Sequence, residues 1–140
     1  MRQASAILVL FGAGLACFAS TAQESPMSLV GKTVVIRYES GLELEAHYES
    51  ETRMTWTALS GPQEGQQGTE HIAAEEVAPG VFFISWVEEN GVTVSNVLNF
   101  HSHRAFAFVT FDAAGTRRSA VEKGIFHEVG ARQTSGPSMR

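Results

Sequence analysis

A carboxylate at the end of an apolar column is the first feature of this chain that suggests chemistry. In the run Val81-Phe82-Phe83-Ile84-Ser85-Trp86-Val87-Glu88 every second residue falls on one face, which groups Phe82, Ile84, Trp86 and Glu88. If that face is interior, Glu88 is desolvated, its pKa rises, and it can serve as a general acid or base near neutral pH. The competing reading sets Glu88 at a rim, solvated beside Glu89 where Asn90-Gly91 turns the chain. Tyr38 and Tyr48 fall on inward faces of neighbouring runs. Their phenols are either aimed at a ligand or are core aromatics with wet tips. Trp56 and Trp86 face the same interior, as filler or as pocket wall. Asn96 alternates with Val94 and Leu98, so its amide needs a buried hydrogen bond, and Glu88 is the partner this pattern suggests.

Other chemistries find little support. His101-Ser102-His103 has a spacing that a strand could use to present two imidazoles to zinc or copper. No cysteine or third ligand accompanies the pair and the local pattern reads as a turn, so no metal site is expected. His47 lies among glutamates on a wet face and is expected to be exposed. There is no Gly-x-Ser-x-Gly elbow, phosphate-cradling loop or His-Glu-x-x-His motif, so nothing supports a hydroxyl nucleophile or a nucleotide, and no cofactor is expected.

The elements that would position these residues are strands. Val34, Ile36 and Tyr38 alternate in the first run, and Ser40-Gly41 turns it. Leu42, Leu44, Ala46 and Tyr48 then alternate with Glu43, Glu45, His47 and Glu49, one face in and one wet. Met54, Trp56 and Ala58 share a side of the third run, and Gly61 to Gly68 reads as a flexible loop. Thr69 to Val77 reads as one strand, although Ala73-Ala74-Glu75-Glu76 has helical propensity. After the Glu88 strand, Asn90-Gly91 predicts a tight hairpin pairing Val92 to Phe100 back antiparallel. Ala105 to Phe111 and Ser119 to Glu128 complete the set, with Gly124 as a bulge. About eight strands with hairpin turns and no helix predict an all-β fold: a single small antiparallel up-and-down barrel, either filled or enclosing one small ligand.

The 140 residues hold one such domain, residues 31–129, after a leader. Residues 1–22 read as a signal peptide: Arg2, an apolar run from Ala6 to Ala16, then Ala19-Ser20-Thr21-Ala22, too short to span a bilayer stably. The sole cysteine, Cys17, follows Gly14-Leu15-Ala16 in a lipobox-like context, so a lipid anchor is an alternative to a soluble product. Residues 23–30 read as a linker and 130–140 as a disordered tail. Removing residues 1–22 takes away one arginine and no acid, making the remainder one unit more negative than the whole-chain charge of −5. With no basic stripe to meet phosphates, no nucleic-acid partner is expected, nor a transmembrane helix in the mature form.

Two blocks carry a family resemblance. Tyr38-Glu39-Ser40-Gly41-Leu42-Glu43-Leu44-Glu45, followed about forty residues later by Gly80-Val81-Phe82-Phe83-Ile84-Ser85-Trp86-Val87-Glu88, resembles the MoaF-like (molybdenum cofactor biosynthesis protein F-like) lipocalin or calycin-type domains. The same blocks are more distantly similar to phenolic acid decarboxylases, which share the barrel. That likeness implies a catalytic glutamate at Glu88 and a substrate-carboxylate clamp of two tyrosines. Only Tyr38 is kept here, with Ile36 at the other position. The decarboxylases also use an arginine after the third strand, and Gly61 to Gly68 contains none, so decarboxylation is not carried over.

The resulting expectation is a secreted or periplasmic barrel that binds a small apolar or aromatic ligand. Phe82, Ile84, Trp86, Met54, Trp56, Leu44 and Tyr48 would line it, with Glu88, Tyr38 and Asn96 as polar anchors. The alternative is a cofactor-independent lyase or isomerase with Glu88 as acid or base and Tyr38 orienting the substrate. A third reading is an envelope protein acting through its surface.

Overall fold

Period-two alternation becomes nine strands in the computed structural model, which describes residues 25–130. They are β1 (Thr33–Tyr38), β2 (Glu43–Ser50), β3 (Arg53–Ser60), β4 (Gln67–His71), β5 (Ala73–Ala78), β6 (Val81–Val87), β7 (Thr93–Asn99), β8 (Arg104–Ala113) and β9 (Thr116–Val129). The stretch read as a signal peptide, Cys17 and the tail beyond residue 130 lie outside the described residues. All strand pairs are antiparallel, in one sheet of order β4-β3-β2-β1-β9-β8-β7-β6-β5.

That order is an up-and-down meander whose first and last strands pair, Thr33 to Tyr38 lying against Val129 to Gly124. The sheet ends instead at β4 and β5, which Ile72 alone separates in the chain. The chain thus steps from one edge of the sheet to the other across a single buried residue, Ile72. No β4–β5 ladder closes the circle. The sheet is barrel-like, with its two edges brought together by the chain itself. A bond across the interior shows the wrap: Tyr38 on β1 donates to Asn96 on β7, with two strands, β9 and β8, between them in the sheet order.

Three expectations about elements are corrected. The stretch Thr69 to Val77 is two strands broken at Ile72, whose buried side chain and bond to the Thr52 carbonyl turn the backbone there. Gln67 and Gly68, read as loop, belong to β4 because they pair with Thr57 and Trp56. Gly124 is not a bulge, since both of its ladders run through it without a register shift. Glycine is needed there for space: a Cβ would lie 2.5 Å from the Arg37 carbonyl oxygen.

The hairpin after β6 also differs in kind from a two-residue turn. Glu88 N–H donates to the Val92 carbonyl, Gly91 N–H donates to the Glu88 carbonyl, and only Gly91 of the loop has positive φ, at 84°. This is a three-residue loop with glycine in the left-handed position. Tyr38 to Leu42 repeats it, with Gly41 at 91°.

Along the strands the interior divides in two. At one end Phe100 packs edge-on against both Phe82 and Phe126, centroids 5.7 and 5.0 Å apart, and Leu29, Val34, Ile84, Leu98 and Ala105 fill the rest. Leu29, in the segment read as a linker, is buried in this core. The other end is hollow. Outside, the β8–β9 face leaves Phe106, Phe108, Val121 and Ile125 exposed.

Candidate functional site

The hollow end is a cavity of about 410 Å³, walled by inward residues of seven strands and the loops above them. Its apolar wall includes Ile36, Leu44, Ala46, Met54, Val94, Ala107 and Val109. Its aromatic wall is Tyr38, Tyr48, Trp56, Trp86 and Phe111, and its polar groups include Glu88, Asn96 and Glu122.

Two of the aromatics are seated by glycines on the adjoining strand. Tyr38 pairs with Gly124, where a Cβ would press to 3.1 Å on the ring. Trp56 pairs with Gly68, where a Cβ would come within 2.7 Å of the indole Nε1. The space vacated lets each ring lie over its neighbour strand with its polar atom toward a partner. Tyr38 Oη donates to Asn96 Oδ1 at 3.2 Å, and Trp56 Nε1 donates to Glu70 Oε1 at 3.0 Å. Asn96, the one buried polar residue among the described residues, therefore finds its partner in Tyr38 and not in Glu88. The reason is topological: the wrap of the sheet brings β1 across to β7, a contact that alternation along single strands does not reveal.

Glu88 follows the last residue of β6, half-buried, with its side chain on the cavity wall. Both competing readings hold in part: it is at the rim and it faces in. Burial raises its pKa, the Asn90 amide at 3.4 Å opposes that rise, and the charge of Glu70 adds to it. The Trp86 indole N–H inclines toward Glu88 closely enough to favour the carboxylate, yet it is buried without a hydrogen bond of normal geometry. Burial pushes the Tyr38 phenol up to about 12, with the bond to Asn96 lowering it and the charge of Glu122 raising it. Tyr48 is raised further by burial and next by Tyr38. Both phenols are therefore neutral hydrogen-bonding groups at physiological pH.

Of the residues singled out in the sequence, Tyr38, Leu44, Tyr48, Met54, Trp56, Trp86, Glu88 and Asn96 meet at this cavity. Ile84 and Phe82 do not: they lie one and two inward positions deeper than Trp86 on β6, inside the filled end. Two acids were missed. Glu122 is on the wall by the same alternation that buries Phe126, two inward positions further along β9 through Gly124. Glu70 was hidden by the ambiguous character of its stretch.

His101 and His103 diverge. The first bonds the Pro79 carbonyl through Nε2 at 2.7 Å, and the second packs on the Phe126 ring. Among the described residues no cluster of three metal-ligating side chains occurs. His47, read as exposed, is half-buried and pairs through Nδ1 with Thr33 Oγ1 at 2.8 Å, because cross-strand Thr33 stands directly opposite it.

An all-β, calycin-like sheet wrapped round a one-ended cavity is the class that this fold and site define. The family is more specific: the MoaF-like family matches residues 30–121, well over half of the chain, and the protein belongs to it. Comparison with curated proteins finds no significant match. Among solved structures, a "putative beta-lactamase from Burkholderia vietnamiensis" superposes with a TM-score of 0.66 at 24% identity, covering 75% of this chain and 99% of that one. At that identity the likeness speaks for the fold alone.

Proposed function

We propose that the protein is a secreted or periplasmic MoaF-like domain that binds a small apolar or aromatic ligand inside the sheet. The observation that carries this reading is the cavity: about 410 Å³, with five aromatics on its wall, beside a filled end packed with phenylalanines. That volume and that mixture of apolar wall and few polar groups are what small-molecule sites have. Export is supported by the apolar N-terminal run and the small residues after it, with Cys17 as the group that would convert a soluble product into an anchored one. Both tryptophans are on the cavity wall, so intrinsic fluorescence is a direct reporter. Titration with small aromatic and lipid-like molecules should shift or quench the emission saturably. Emission unmoved by every compound would remove the binding reading.

A second reading is a cofactor-independent lyase or isomerase, favoured by the raised pKa of Glu88 on the wall of an apolar cavity. Tyr38 would orient the substrate, although its hydroxyl is already engaged with Asn96. Ile36, on the wall beside it, offers no second hydroxyl. For any substrate found, a Glu88→Gln variant should lose at least about 100-fold in kcat. Turnover equal to that of the wild type would eliminate catalysis by this group.

A further inference from the structure

The charge pattern of the cavity narrows what it can hold. Its lining among the described residues carries two carboxylates, Glu88 and Glu122, and no lysine, arginine or histidine. Glu70, bonded to the wall residue Trp56, adds a third negative group that reaches Glu88 electrostatically. These acids come from β4, the end of β6 and β9, far apart in sequence and gathered by the wrap of the sheet. The salt bridges of the described residues engage Glu43, Glu49, Asp112 and Glu128 and none of these three. An anionic ligand would thus enter against uncompensated negative charge.

A second, independent observation points to a ligand in the same place. Trp86 is 7% exposed, lies on the cavity wall, and has an indole N–H that, although inclined toward Glu88, makes no hydrogen bond of normal geometry. Buried donors are nearly always satisfied, so this one is available to an acceptor in the cavity. Trp56, Trp86, Tyr38 and Tyr48 put aromatic rings on the wall, and ring faces attract a desolvated cation.

We propose, resting on the binding reading above, that the cavity selects a small organic cation: an apolar or aromatic amine with its ammonium at Glu88 and Glu122. An oxygen acceptor on the ligand body would meet the Trp86 N–H.

The test uses three probes that share a phenethyl group, phenethylamine, phenethyl alcohol and 3-phenylpropionate, titrated into the protein at neutral pH with tryptophan emission as the readout. The amine should bind at least tenfold more tightly than the alcohol, and the carboxylate least of the three. Glu88→Gln and Glu122→Gln should each shrink the preference for amine over alcohol while leaving alcohol binding in place. Glu75→Gln removes the same charge from an exposed position off the cavity wall and should leave the preference intact. If alcohol or carboxylate binds as well as the amine, or if Glu75→Gln acts like the cavity variants, the cation inference falls and the binding reading stands. If no probe moves the emission, both fall together.

Discussion

Among the described residues Tyr38 and Asn96 form the one side-chain hydrogen bond that crosses the interior, and its two halves are not interchangeable. Removing the hydroxyl with Tyr38→Phe leaves a buried amide oxygen without its donor. The expected loss is about 1–2 kcal/mol in a urea unfolding midpoint. Adding Asn96→Leu should recover part of that loss, because replacing both partners by apolar groups removes the unsatisfied atom. Glu88 makes the opposite prediction. Its folded pKa is raised above the ordinary 4.5, so the fold favours the protonated form. That preference stabilises fully below the ordinary value and is lost as pH rises through the folded one. At pH 7 the ionised side chain is a burden that glutamine does not carry. Glu88→Gln should therefore melt higher than the wild type at pH 7, with the two curves converging below about pH 4.5. A melting difference independent of pH would contradict the desolvation account.

Hairpins and glycines govern the element scale. Gly91 has open space around it and a φ of 84°, so Gly91→Ala meets only backbone strain, about 1 kcal/mol. Gly124 has no strained φ, but an added Cβ meets backbone at 2.5 Å and the Tyr38 ring at 3.1 Å, and neither the strand nor the ring can give way without moving the site. Gly124→Ala should destabilise by about 1–3 kcal/mol and also weaken any cavity ligand, whereas Gly91→Ala should leave affinity unchanged. Thermal melts with a fluorescence titration separate the two effects. The same contrast explains why Gly124 resembles a bulge in the sequence. Glycine inside a strand has two physical causes, an irregular ladder or a close neighbour, and the neighbour here comes from β1, eighty-odd residues away.

For the whole molecule, the filled and hollow ends should respond differently to the same kind of truncation. Phe126→Ala removes a ring packed against Phe100 in a core without slack, at a cost of about 3–5 kcal/mol. Val109→Ala, on the wall of a space already open, should cost about 1 kcal/mol or less and enlarge the cavity. The open seam between β4 and β5 has its own signature. Hydrogen exchange followed by mass spectrometry should find amides of β1 and β9, paired on both sides, among the slowest, and those of β4 and β5, paired on one side only, considerably faster. Equal protection at the seam would mean that the sheet is closed there by bonds absent from this structure.

Alternation of apolar and polar residues by itself determined the strands, their inward faces and the antiparallel meander, because strand period and hairpin turns are local properties. It also brought Tyr38, Tyr48, Trp56, Trp86, Glu88 and Asn96 to one interior. Only the tertiary structure decided which of those residues touch and where the interior is empty. Phe82 and Ile84 share a face with Trp86 and Glu88, yet depth along the barrel, not facing, makes the first two core and the last two cavity wall. Asn96 chose Tyr38 over Glu88, and Glu70 and Glu122 joined the site from strands far apart in the chain, because the curl of the sheet sets distances across the interior. Those distances depend on how all nine strands wrap together, and no single stretch of sequence contains them.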